Sequence, residues 1–399
     1  MLQPVFIAGV GVISAIGNTA AQNLLSLERA ETGIAAIKYL ETEHRDEFPV
    51  GEVKLNNDEL AELSGLNVNT SRTAMLSSIA AQEALADAGI NNFAGLRSGF
   101  ISANSVGGMD KTEGFFRKFL SDNTKGRLRN VVNHECGAVT NLVADQLGIR
   151  HYVSTISTAC SSSANAIMYG ARLIKNNMLD VVIAGGTDAL TRFTLNGFNT
   201  LMILDQQPCQ PFDANRRGLN LGEGAGYVVL VSERIAMSLK KELYCTLSGY
   251  YNANDAYHQT ASSPEGTGSL LAMEGALKKS NLLPSDIGYI NLHGTGTQNN
   301  DSSESAAINK LFHPRFPKMS STKAFTGHTL GASGGIEAVF SALAVQRGLV
   351  YPNLRFETPM EGLSFAPETS FSKQPGLRHV LSNSFGFGGN CSSLIFSKL

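Results

Sequence analysis

Short apolar runs bounded by turn residues alternate along the chain with longer apolar stretches of helical character, and this alternation constrains the fold more than any other feature. The runs Val5 to Ala8, Gly99 to Ile101, Val181 to Ala184, Gly226 to Val231 and Tyr289 to Leu292 read as strands buried on both faces. Between them, Met75 to Ala88, Ser163 to Ile174, Gly266 to Lys279 and Gly335 to Gln346 read as helices. A strand apolar on both faces needs a layer on each side, so the pattern predicts an α/β protein with covered sheets. At 399 residues the chain is long enough for two or three folding units or one large two-lobed domain. No low-complexity linker or charge block separates the parts, so they are expected to pack tightly. Charged residues make up 17% of the chain, below the ~25% of an average globular protein, and 40 glycines point to close backbone packing in many loops.

A faint internal repeat accompanies the alternation. Thr158-Ala159-Cys160-Ser161 leads into a helix ending near Lys175, and Thr326-Gly327-His328-Thr329 leads into one ending near Arg347. Each places a reactive residue in a small-residue turn before an apolar helix. This suggests a duplicated fold whose halves aim two helix N-termini at one shared site.

Several function classes are disfavoured at this level. A net charge of -2 gives no bulk attraction to nucleic acid. No run of about 18 apolar residues is present to span a membrane. The first basic residue is Arg29, so the apolar stretch Val5 to Ile16 lacks the basic flank of a signal peptide, and a cytoplasmic location is expected. Cys136, Cys160, Cys209, Cys245 and Cys391 form no CxxC pair, which argues against a disulfide framework or a zinc site. Gly9-Val10-Gly11 lacks the third glycine of a dinucleotide fingerprint, that position being Ser14, and reads as a tight strand-to-helix turn. No cofactor and no metal are expected.

The candidate chemistry gathers in a few turns rich in Gly, Ser and Thr. Cys160 lies just before a helix, where unpaired N–H groups and the helix dipole can lower a thiol pKa and favour a nucleophile; a small buried structural cysteine is the alternative. His293 ends a strand and opens the loop HGTGT, and His328 lies in KAFTGHTLGASGG, five residues after Lys323. His44, His134, His151, His258, His313 and His379 read as solvated or structurally satisfied. Gly331 to Gly335 matches GxSxG without the preceding strand that a nucleophile elbow needs, and so reads as a close-packed helix start. Near the C-terminus, SNSFGFGGNCSS places Gly386, Gly388 and Gly389 around Phe387, a loop able to lend an N–H to an oxyanion and a phenyl ring to a gate.

Taken together, GVGVISAIGN at Gly9, TACSSS around Cys160, PFDANRRGLNLGEGAG at Pro211, HGTGT at His293, KAFTGH at Lys323 and SNSFGFGG at Ser382 span the chain in order. The sequence resembles the β-ketoacyl-acyl-carrier-protein synthases, the elongating condensing enzymes of the thiolase superfamily. The resemblance implies a five-layer αβαβα sandwich of two similar halves, placed at residues 1–240 and 241–399. It implies an acyltransferase that condenses an acyl thioester with malonyl-acyl carrier protein, extending a fatty-acid, polyene or polyketide chain by two carbons.

The same resemblance distributes roles. Cys160 is the expected acyl-accepting nucleophile, and His293 and His328 the pair that binds the malonyl thioester carbonyl. Lys323 supports the histidines, and Glu304 is the acidic residue after the HGTGT loop. Phe387 is the gate, its N–H joining that of Cys160 in an oxyanion hole, and Thr295 and Thr297 hold the pantetheine arm. The implied partners are acyl- and malonyl-loaded carrier protein and a second copy of the chain. Arg72 and the cluster Lys125, Arg127 and Arg129 are candidate carrier contacts. Val106, Met109 and Phe198 are candidate determinants of pocket depth. Three departures, Asn300 before Asp301, Asn390-Cys391 after the Gly pair, and Thr187-Asp188 after Gly185-Gly186, leave a specialised polyene or polyketide branch open. Two other readings remain: a thiolase-like coenzyme A acyltransferase using Cys391 as second cysteine, and a non-catalytic chain-length partner subunit, against which Cys160 itself speaks.

Overall fold

In the computed structural model, which describes residues 3–399, ten strands share one hydrogen-bonded order that reads the same from both ends. From one end come Tyr152–Ile156, Ser98–Ala103, Val181–Asp188, Gly224–Ser232 and Val5–Ser14, paired parallel, parallel, antiparallel and antiparallel. From the other come Lys318–Ser320, Tyr289–Asn291, His379–Phe385, Asn390–Ser397 and Cys245–Asn254, with the same sequence of pairings. The two sets meet where Phe6 pairs with Thr246 and Ile7 with Cys245.

Helices cover both sets. Arg72–Ala88 and Cys136–Leu147 pack on the first five strands, and Thr267–Ser280 packs on the second five with Gln298–Phe312 beside it. Between the sets lie Ser162–Lys175 and Ser333–Arg347, each touching strands of both. The result is the thiolase-like αβαβα sandwich. The central layer explains the low charged fraction, because every residue from Ser333 to Val345 is buried. Ile336, Val339, Phe340 and Leu343 are all in the central core, and at about 1.5–3 kcal/mol per buried large apolar side chain, packing rather than helix propensity holds this element.

The expected strands and helices are present, most with longer ends than the apolar pattern alone marks, while the strand at Tyr289 stops at Asn291 rather than Leu292 and the helix expected from Gly266 begins at Thr267. Ser71 caps the N-terminus of Arg72–Ala88 through its hydroxyl, and Gly89 ends that helix in the left-handed region at φ +70°. The GVG segment is a correction. Gly9 and Gly11 lie inside the strand Val5–Ser14, not in a turn. A Cβ at Gly9 would come 2.2 Å from the Ala84 carbonyl oxygen, and one at Gly11 would come 2.0 Å from that of Ala80. The glycines therefore let a helix backbone lie directly on the strand.

The repeat is also offset from the expected alignment. Ala159 and Leu330 both take left-handed backbone, at φ +54° and +52°, and each stands three residues before a central helix. By this geometry the counterpart of Cys160 is Gly331, and His328 lies further back in its turn. Arg72 is a second correction, since it is buried and offers nothing to a carrier protein. Its Nη2 lies 2.6 Å from Glu223 Oε1 while its Nε donates to both oxygens of the same carboxylate. No described helix is long and apolar enough to cross a membrane.

Candidate active site

Three loops deliver the reactive groups to one cleft of about 320 Å³. Cys160 enters from the turn before the central helix Ser162–Lys175, His293 from the end of strand Tyr289–Asn291, and His328 from the turn before Ser333–Arg347. The Cys160 sulfur and one ring nitrogen of each histidine lie within 4.8 Å of one another. Among the described residues this is the one cluster of His, Cys and carboxylate groups compact enough to hold a metal ion. One thiol with two neutral imidazoles is equally a nucleophile with two N–H donors.

The two rings stand nearly perpendicular, at 88° with centroids 5.5 Å apart. Each is oriented through Nδ1. Lys323 Nζ lies 3.2 Å from His293 Nδ1, and an ammonium can only donate, so that nitrogen accepts and the proton resides on Nε2. The Leu330 backbone N–H donates to His328 Nδ1 at 3.1 Å, with the same consequence for its ring. Burial and then the nearby Lys323 charge pull His328 down to about 3, and burial, Lys323 and His328 hold His293 well below the ordinary imidazole value. Both rings are thus neutral at physiological pH, each with an Nε2–H left to donate.

Lys323 holds only His293 directly. Its other partner is Glu337, whose Oε1 lies 2.5 Å from Nζ. Glu304 acts on the backbone rather than on a ring: its carboxylate accepts the N–H groups of His293 at 2.9 Å and Gly294 at 2.8 Å, and the Asn383 amide at 3.1 Å. Three residues earlier on the same helix, Asp301 accepts the N–H groups of Thr295 and Gly296. The HGTGT loop therefore hangs by four N–H groups from two buried carboxylates. Thr295 and Thr297 line the cleft with their hydroxyls 2.9 Å apart.

The thiol is not acidified as the helix-terminus argument predicts. Burial pushes Cys160 up to about 11, and the Lys323 charge and the backbone N–H groups of Phe387 and Cys160 itself only partly offset this. The loop carrying Phe387 approaches because residue 386 has no side chain: a Cβ on Gly386 would come 3.1 Å from the Cys160 nitrogen. The Phe387 ring stacks on Phe198, centroids 5.9 Å apart, and both line the cleft.

Val106 and Met109 lie outside that lining. Of the departures noted in the sequence, Asn300 lines the cleft. Asn390 Oδ1 accepts from Ser161 Oγ, Asn165 Nδ2 and Asn252 Nδ2, tying the last strand to the nucleophile turn. Cys391 is buried against Ala272 and Phe385 and, unlike Phe385, does not line the cleft, which speaks against its serving as the second cysteine of a thiolase-like site.

Sequence reasoning does not single out Glu337 or Asp301 for these roles. Glu337 has a usable signal, a lone acid in a stretch from Ala324 to Gln346 that holds no other carboxylate, lysine or arginine. An uncompensated charge there demands a buried partner.

The family models of the beta-ketoacyl synthase N-terminal domain and C-terminal domain match residues 2–236 and 244–357. The chain belongs to the β-ketoacyl synthase family. It is 33% identical over an alignment 408 positions long to the 3-oxoacyl-[acyl-carrier-protein] synthase 2 of Staphylococcus aureus, covering 99% of this chain and 98% of that one. Among solved structures it is similar to the ishigamide ketosynthase/chain length factor, with TM-score 0.93, 26% identity and full coverage of both chains. It is also similar to the ketosynthase ApeO in complex with its chain length factor ApeC from Xenorhabdus doucetiae, with TM-score 0.85, 30% identity and coverage of 100% and 98%. These two solved structures share the sandwich described above.

Proposed function

We propose that this β-ketoacyl synthase condenses an acyl group held on Cys160 with malonyl-acyl carrier protein, releasing carbon dioxide and lengthening the chain by two carbons. The observation that carries the reading is the convergence of one thiol with a ring nitrogen of each of two neutral imidazoles within 4.8 Å. In the first half-reaction the Cys160 sulfur attacks the incoming thioester. A new S–acyl bond forms, the carrier S–C bond breaks, and the thiol proton leaves with the carrier thiol. Its tetrahedral oxyanion is held by the N–H groups of Cys160 and Phe387.

In the second half-reaction malonyl thioester loses carbon dioxide, and the enolate oxygen accepts from His293 and His328 Nε2–H. The enolate carbon attacks the acyl-Cys160 carbonyl, and the expelled thiolate takes a proton from solvent. Lys323 keeps His293 oriented, Glu304 keeps its loop in place, Phe387 gates the cleft, and Thr295 and Thr297 hold the pantetheine arm. The halves acting together are residues 1–240, with the nucleophile, and 241–399, with the histidines. Incubation with acyl and malonyl carrier proteins should give carbon dioxide and an acyl adduct on Cys160 by intact mass. A protein that neither releases carbon dioxide nor carries acyl on Cys160 is a non-catalytic chain-length partner subunit instead.

The chain is expected to self-associate as a homodimer. The strand Tyr152–Ile156 ends the sheet with one edge unpaired, and the helix Met109–Ser121 has no buried residue while Phe116, Phe119 and Leu120 stand exposed. A free edge together with an exposed apolar face is what a second copy covers. Sedimentation at micromolar concentration should show a dimer, and a monomer there removes the proposal. Docking of an acidic carrier protein is assigned to the exposed cluster Lys125, Arg127 and Arg129. Charge reversal at all three should raise KM for carrier-bound substrate about 10-fold, with little effect on a small pantetheine thioester, because exposed pairs act mainly on encounter. Equal effects on both substrates would place their role elsewhere.

A further inference from the structure

Asp188 closes the strand Val181–Asp188 and is wholly buried. Its carboxylate joins two loops: Oδ1 accepts the backbone N–H groups of Ser105 at 2.8 Å and Val106 at 3.0 Å, and Oδ2 accepts that of Gly331 at 2.7 Å. The fit around Oδ2 is close, since a Cβ on Gly331 would lie 2.8 Å away. Gly331 follows Leu330, which holds left-handed backbone and whose own N–H is the donor to His328 Nδ1. A residue with a bulky side chain stays in that region only where its surroundings over-determine it. Here the two successive N–H groups of the turn are taken by His328 and by Asp188.

We infer that Asp188 is a positioning residue for His328: by gripping the Gly331 N–H it keeps Leu330 in the turn whose N–H fixes the imidazole with Nε2–H toward the cleft. Asp188 touches no reacting atom and acts through His328, so its consequence for catalysis rests on the decarboxylation role proposed above. A carboxylate suits the task because only acceptors face three donors from two loops. An amide has one oxygen, so it would turn its NH2 toward one of the loops.

The test is Asp188→Asn, read by nitrogen NMR of protein labelled with 15N-histidine and by separate half-reaction rates. Wild type should show His328 as the neutral Nε2–H form. The variant should show a second tautomer or an exchange-broadened ring signal. Malonyl decarboxylation should fall about 10-fold, the size of one lost charge-assisted hydrogen bond, with acyl-enzyme formation within about 3-fold. An unchanged ring signal overturns the inference whatever the rates do. A changed ring signal with unaltered decarboxylation supports the positioning and instead removes the proposed role of His328. Adding Asp188→Asn to His328→Ala should cost nothing further in decarboxylation; another tenfold loss means that Asp188 acts by a different route. If Asp188→Asn does not accumulate as folded protein, Asp188→Glu, which keeps the charge and displaces the oxygens, is measured in the same way: a disturbed His328 ring signal supports the positioning, and an undisturbed one overturns it.

Discussion

Cys160→Ala is expected to lose condensation by more than about 10³-fold while malonyl decarboxylation persists, because the covalent acceptor is gone and the enolate donors are not. The substitution removes a sulfur whose surroundings are the N–H groups of Phe387 and Cys160 and the field of Lys323. The hydrogen bonds that orient the imidazoles do not pass through it. His293 is still held by Lys323 and His328 by the Leu330 N–H, so both Nε2–H groups remain aimed into the cleft. The check is carbon dioxide release from malonyl carrier protein alongside product formation, with circular dichroism to show the fold intact. Loss of both activities in a folded variant would mean that the thiol takes part in decarboxylation and that the two half-reactions are not separable.

What the sequence reveals and what it hides divide along contact distance. Cys160, His293, His328 and Phe387 are legible because each stands in a turn whose small residues are its immediate neighbours. The carboxylates that set those turns are harder to see. Glu337 meets Lys323 across fourteen positions, and Asp188 meets Gly331 across 143. Arg72 reads as a surface cation because its partner Glu223 lies 151 residues away. Gly9 and Gly11 mislead for a related reason. A glycine required by a turn and one required by a helix lying on the strand have the same local signature, and only the remote carbonyls of Ala84 and Ala80 distinguish them. The direction of the thiol pKa shift is likewise hidden, because the helix-terminus argument is local, whereas the burial that pushes Cys160 up is assembled by loops from both halves.

His293→Ala and His328→Ala are each expected to cut decarboxylation by about 10² to 10³, since removal of one preorganised oxyanion donor typically costs about 2.7–4 kcal/mol. Acyl transfer to Cys160 should fall far less, because its oxyanion hole is backbone. The two variants should also differ from each other. His293→Ala leaves the buried Lys323 ammonium with Glu337 as its remaining side-chain partner, whereas His328→Ala frees only the Leu330 N–H and the Ser333 hydroxyl. A buried charge that loses a partner costs more than a neutral donor that does, so His293→Ala should also lower the thermal midpoint more. Lowered histidine pKa values mean that the neutral donor form is fully present at high pH and is lost only as pH falls toward the folded value, about 3 for His328. Wild-type decarboxylation should therefore show no imidazole step between about pH 5 and 8, the span in which an unperturbed histidine titrates. Single-turnover measurements of acyl-enzyme formation and of carbon dioxide release, across that pH range and in both variants, decide the matter. Because burial pushes Glu304, Glu337 and Asp188 up to about 7, a rate step in that span can come from these carboxylates; an imidazole titration near about 6.5 seen on the rings themselves, or acyl transfer falling as far as decarboxylation, would show that the histidines work as proton carriers for Cys160 rather than as neutral donors to the enolate.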